Sequence, residues 1–269
     1  MVQAWWPVLG EVDNCEFGPR PTHPSVITAT IAATDDGVLP APVQSVRDAG
    51  VPGSGRVEVA VGHGRDLGVL VLFADEIHAA ARVCKAHATS GHTFASPNGG
   101  PLGYVVEGLP TILNRPTRRV TRPAKEPSRV VTVELVTIVL GDSGVLAQAA
   151  AEHSDGLVVA AFGAGHVPAA VVEALSNAAS RIPVVLASRT GAGSVLAATY
   201  AFPGSESDLL GRGLISAGML HPLKARVLLH HLLATGRDRV ATRQTFAEPG
   251  GYPLSDRATD RNDLVTARA

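Results

Sequence analysis

Lysine is scarce in this chain. Of 23 basic residues only Lys85, Lys125 and Lys224 are lysines. Arginine keeps its proton in any protein setting, whereas a buried lysine gives it up. Lys85 is therefore either a candidate titratable amine or one solvated charge among the rest. Cysteine is nearly absent too, with only Cys15 and Cys84, which excludes a disulfide framework. Aromatic residues make up 4 %, so the core must be built from Ala, Val, Leu and Gly. No apolar run is long enough to span a bilayer. The net charge of −1 points to neither nucleic acid nor an anionic membrane as partner. The first 15 residues lack a basic start and are broken by Glu11 and Asp13, so they do not read as a signal peptide, and a cytoplasmic setting is expected. With 269 residues, 45 % of them apolar, the chain can form one large α/β domain or two ordinary ones.

Five segments are expected: an irregular arm at 1–24, a first α/β domain at 25–106, a linker at 107–129, a second α/β domain at 130–247, and a polar tail at 248–269. Val26–Ala33 is β-branched and ends in the turn signal Thr34-Asp35-Asp36-Gly37. The continuous apolar run Leu67–Phe73 fits a strand buried on both faces of a parallel sheet, with Asp75 capping a helix after it. The linker is assigned from Pro110, Pro116, Pro123 and Pro127 together with five arginines. Beyond it strands and helices alternate. Val130–Leu140, Gly156–Phe162 and Ile182–Ala187 read as strands; Val145–His153, Val167–Ser180 and Pro222–Thr235 read as helices. Pro222 opens the last helix and Gly236 follows its end. The alternation implies right-handed βαβ units.

Gly163-Ala164-Gly165-His166-Val167-Pro168 follows a strand and opens a helix, a place where open α/β sheets collect ligands. Pro168 stands where a dinucleotide fingerprint needs its third glycine, and no acidic residue lies between Glu173 and Glu206. The loop is thus either a turn or a site for something other than a dinucleotide. His78, Cys84, His87 and His92 have no zinc spacing and read as surface or hydrogen-bonding residues. The chain has neither a G-x-S-x-G elbow nor a P-loop, which disfavours a serine hydrolase of the α/β type and a P-loop nucleotidase.

Several segments, in order, resemble the bacterial-type L-asparaginases. They are Asp75-Glu76-Ile77-His78-Ala79-Ala80, Lys85, Thr93-Phe94-Ala95-Ser96-Pro97 and Gly100-Pro101-Leu102-Gly103-Tyr104. They continue with Phe162–Pro168, Pro183–Thr190, Gly204-Ser205-Glu206, Ala217–Leu220 and Pro222–Arg226. The resemblance implies two domains, each a mainly parallel sheet flanked by helices. It also implies hydrolysis of the side-chain amide of L-asparagine to L-aspartate and ammonia, with no cofactor. Thr28-Ala29-Thr30-Ile31-Ala32 resembles the family's T-G-G-T-I-A strand-loop with both glycines gone, which makes Thr30 the matching nucleophile. Val46–Gly53 resembles the family's A-M-R-x-x-x-x-P-G stretch. The H-G-T-D-T segment that precedes that stretch in the family has no counterpart, and Thr34-Asp35 lies too close to Thr30 to be it. The first domain thus reads as shortened.

The resemblance assigns Thr30 and Lys85 as catalytic, and His166 and Glu206 as substrate-binding, with Glu206 at the position that takes the substrate α-ammonium. Apart from the resemblance, Glu206 reads as an acid at a helix start and His166 as a turn-stabilising residue. A threonine hydroxyl needs a base to attack a carbonyl carbon, and a dry lysine held by a carboxylate can supply it. The missing Thr-Asp pair removes that carboxylate. The second domain of this family serves a neighbouring subunit's site, so a homodimer or homotetramer acting on a small amino-acid amide is expected. The alternative is an impaired homologue acting as a binding or interaction protein.

Overall fold

The structure, a computed structural model, describes residues 29–32, 67, 69–107, 109–116 and 127–247. The arm at 1–24, the Thr34-Asp35 turn, the Val46–Gly53 stretch and the tail from 248 lie outside the described residues. The chain divides into two compact units, Met1–Glu126 and Pro127–Ala269.

In the first unit, strands β1 (Ala29–Ala32), β2 (Val69–Phe73), β3 (Glu76–Ala79), β6 (Gly103–Val106) and β7 (Leu109–Ile112) form one sheet in that order. A separate ribbon pairs β4 (Cys84–Lys85) with β5 (Phe94–Ala95). Every described pairing in this unit is antiparallel, where a parallel sheet was expected. β2 is buried on both faces as its apolar run implies. Leu70 and Leu72 pack with Ile77, Ala79 and Leu102; Val71 and Phe73 pack with Ala80, Val83 and Phe94. Burial on both faces says that both are covered but not which way the neighbours run.

The turn decides the direction. Ala74 and Asp75 both have positive φ, 45° and 63°, so Phe73 returns directly opposite Glu76. Two consecutive left-handed residues make a tight hairpin turn whose twist matches the strands. Asp75 therefore turns a hairpin instead of capping a helix. β7 likewise falls inside the expected linker. It lies at the sheet edge, where Pro110 and its missing N–H are tolerated.

The second unit is the alternating α/β layer expected. Its parallel sheet has the order β11-β10-β9-β8. The strands are β8 (Val133–Thr137), β9 (Gly156–Ala161), β10 (Val184–Ser188) and β11 (Ile215–Ser216). The helices are α1 (Val145–Glu152), α2 (Ala169–Arg181), α3 (Glu206–Gly211), α4 (Pro222–Ala234) and α5 (Arg239–Ala247).

Period-2 alternation splits the strand residues between two cores. Leu157, Val159, Val184 and Leu186 face α1, α2 and α3, while Val158, Val185 and Ala187 face α4 and Phe246 of α5. α4 starts with Pro222 after the His221 cap, whose Nδ1 accepts from Leu223 N–H at 3.3 Å. It ends where Gly236 turns left-handed (φ 73°), and Arg237 N–H then reaches Leu232 O at 2.9 Å. The short α3 and β11, and the polar α5, were not among the elements expected from the sequence.

Candidate active site

The best-formed polar cluster lies at the C-terminal ends of β9 and β10. After β9 the chain folds back on itself. Phe162 and His166 bridge, and the N–H groups of Gly165 and His166 both donate to Phe162 O, at 2.8 and 2.9 Å. Those two donors are spent internally, in a turn that aims His166. Gly165 sits at φ 111°, and a Cβ there would meet Val195 Cγ1 at 2.9 Å and Glu206 Cβ at 3.4 Å. The neighbouring strand end braces the turn, with Ser188 Oγ–H donating to Gly163 O at 2.6 Å.

Glu206 opens α3. The Ser205 side chain caps the helix, and Glu206 itself is fully buried, at 0 % exposure. Its Oε1 accepts from Thr199 N–H at 3.0 Å and Tyr200 N–H at 2.8 Å. Its Oε2 accepts from His166 Nε2–H at 3.1 Å. Burial disfavours the charged carboxylate. Hydrogen bonds from the Tyr200, Glu206 and Thr199 backbone N–H groups and from His166 outweigh it, and they hold the acid below its ordinary range. Asp208, two residues along the helix, is treated the same way. Its burial is outweighed by Gly204 N–H at 2.9 Å and by the Arg212 guanidinium at 2.9 Å.

Around the His166–Glu206 pair stand two aromatic side chains. The His166 ring meets Tyr200 at 4.8 Å and 87°, and Phe202 at 5.1 Å and 71°. The Tyr200 carbonyl accepts from the hydroxyls of both Ser205 and Ser207, which fixes this loop against the start of α3. Tyr200 and Phe202 were not among the expected site residues. Two aromatics within three positions, in a chain so poor in them, were the available signal.

The structure brings His166 and Glu206 together. In the first unit, Thr30 is on β1 with its backbone opposite Val71; its side chain lies outside what is described. Lys85 is on the β4–β5 ribbon opposite Phe94 and is exposed. The buried group nearby is His78, on β3. Its Nδ1 shares a hydrogen bond with Ser96 Oγ at 2.9 Å. Its Nε2 lies 3.3 Å from Glu76 Oε2 without hydrogen-bond alignment. Burial keeps the imidazole below its ordinary value, with Glu76 pulling the other way.

Comparison with known proteins covers both units. Residues 56–118 match the family model "Asparaginase, N-terminal", and residues 132–246 match "Glutaminase/Asparaginase C-terminal domain". The chain belongs to the bacterial-type L-asparaginase family. It is 35 % identical over 186 residues to a probable L-asparaginase of Deinococcus radiodurans, covering 67 % of this chain and 56 % of that protein. It is 32 % identical over 185 residues to L-asparaginase 2 of Escherichia coli K12, covering 66 % and 51 %. A probable periplasmic L-asparaginase of Haemophilus influenzae is 30 % identical over 187 residues, covering 67 % and 52 %. The chain therefore spans about half the length of these curated relatives. Lys85, His166 and Glu206 fall within the asparaginase-matched residues, whereas Thr30 precedes them. Among the described residues no helix is long and apolar enough to cross a membrane.

Proposed function

We propose that the chain hydrolyses the side-chain amide of L-asparagine, or of a close amino-acid amide, to the acid and ammonia. The observation that carries this reading is the buried, ionised Glu206 carboxylate at the end of the sheet, inside the matched C-terminal domain. Such a group suits the α-ammonium of an amino acid, with His166 lining the same subsite. Names of relatives as L-asparaginases favour the amide as the reacting group.

In this reading Thr30 is the nucleophile. Its hydroxyl oxygen bonds to the amide carbon while its proton passes to Lys85; Lys85 then returns that proton to the amide nitrogen as the C–N bond breaks, and ammonia leaves. Water attacks the resulting ester and releases the acid and the threonine. The second unit of one copy would serve a neighbouring copy, so the active form is a homodimer or homotetramer.

One observation favours a second reading. Lys85 is exposed, and the sequence offers no counterpart of the family's H-G-T-D-T segment to hold it, which fits a homologue that binds an amino acid without turning it over.

Ammonia release from L-asparagine by the purified full chain separates the two. Hydrolysis by this chain predicts release that Thr30→Ala and Lys85→Ala abolish and that Glu206→Gln weakens mainly through KM. Release indifferent to all three substitutions defeats the proposal. Thermal stabilisation by L-asparagine with no ammonia selects the binding reading.

A further inference from the structure

Glu206 is charged, dry and already occupied. Two backbone N–H groups hold Oε1 and the His166 imidazole holds Oε2. An ammonium group approaching from solvent reaches this carboxylate only if His166 moves away. The covering is thin. His166 keeps 25 % of its side chain in solvent, and Tyr200 and Phe202 are 44 % and 46 % exposed.

The place the imidazole fills has a definite chemistry. A nitrogen donor sits against a carboxylate, and two aromatic rings flank it near the perpendicular. Carboxylate plus aromatic rings is a setting that attracts an organic cation. We propose that His166 stands in for a ligand's primary ammonium, that the ligand displaces it, and that Tyr200 and Phe202 then pack against the bound ammonium as specificity-determining residues. This rests on the reading above only in taking Glu206 as the amino-group acceptor; it does not require turnover.

Displacement makes the capped protein bind more weakly than an uncapped one, in proportion to the fraction of time the cap is open. The test uses the full chain as parent, His166→Ala and His166→Ser, with L-asparagine and methylammonium as probes, read by calorimetry and by melting temperature against a sodium chloride control. With the cap closed roughly nine-tenths of the time, its removal tightens L-asparagine about tenfold. Methylammonium should stabilise the His166 variants at roughly tenfold lower concentration than the parent, and adding Glu206→Gln, or Tyr200→Ala with Phe202→Ala, should remove that stabilisation. Should one His166 variant fail to fold, the other gives the same reading.

Weaker L-asparagine binding by a folded His166 variant overturns the proposal, since the imidazole would then be a direct ligand contact. So does a folded variant indifferent to methylammonium. Methylammonium binding without ammonia release in any variant leaves the subsite standing and defeats hydrolysis. Release by the parent together with weaker binding in the variants does the reverse.

Discussion

At the scale of single residues, backbone conformation places the site as much as side-chain chemistry does. Gly165 is the clearest case. Its φ of 111° disfavours any L side chain, and a Cβ would press on Val195 and approach Glu206. Gly165→Ala is expected to cost roughly 1–3 kcal/mol, lowering the melting temperature by several degrees. Because the strain falls between His166 and Glu206, it should also weaken L-asparagine binding. An unchanged melting temperature would show that the turn relaxes freely. His166 and Glu206 were legible as residues, through Gly-Ala-Gly-His and Gly-Ser-Glu in the order the family shows. Their mutual hydrogen bond was not, because 40 positions separate them. Tyr200 and Phe202 stood out only as two aromatics close together in a chain poor in them; they lie in a loop without periodicity, and only packing assigns them a partner.

At the scale of elements, the second unit could be read far more completely than the first. β9 and β10 are short apolar runs between turn signals, and the helices beside them carry caps and breakers such as Pro222 and Gly236. The first unit misled because the β2 run is compatible with either strand direction, and the deciding turn uses Ala74 and Asp75, not glycine. An alanine at φ 45° is uncommon, since the Cβ crowds the following carbonyl. Replacing the pair with Ala74→Asn and Asp75→Gly, the residues that favour two consecutive positive φ values, should stabilise the hairpin by about 1 kcal/mol. The gain would appear as a melting temperature higher by roughly 2–4 °C. A loss instead would mean that Phe73 and Glu76 do not face each other.

At the scale of the whole molecule, titration ties stability to pH. His78 and His231 have lowered values, the latter through burial and then the nearby His230 and Arg237 charges. In the unfolded chain they take up protons near their ordinary value of 6.5, whereas the folded chain resists until lower pH. Their contribution is therefore intact above that value and declines as pH falls below it. Glu206 and Asp208 are also lowered, so their contribution holds above the ordinary carboxylate range and fades as acid protonates them in the folded state. The melting temperature should fall in two stages, one below about pH 6.5 and one below about pH 4. Glu206→Gln should shrink the second stage to the Asp208 contribution and leave the first. A curve level from about pH 7 to about pH 3 would contradict both assignments.

Sequence alone determined the family and the alternation of strand and helix in the second unit, and it pointed to the acid and imidazole proposed here as a subsite, because each is written in local spacing and ordered motifs. Only the tertiary structure decided strand direction in the first unit, the exposure of Lys85, and the closure of His166 over Glu206 beneath two aromatic rings. Those depend on contacts between residues far apart in the chain, where the free energy lies in burial and mutual alignment and leaves no local periodic trace.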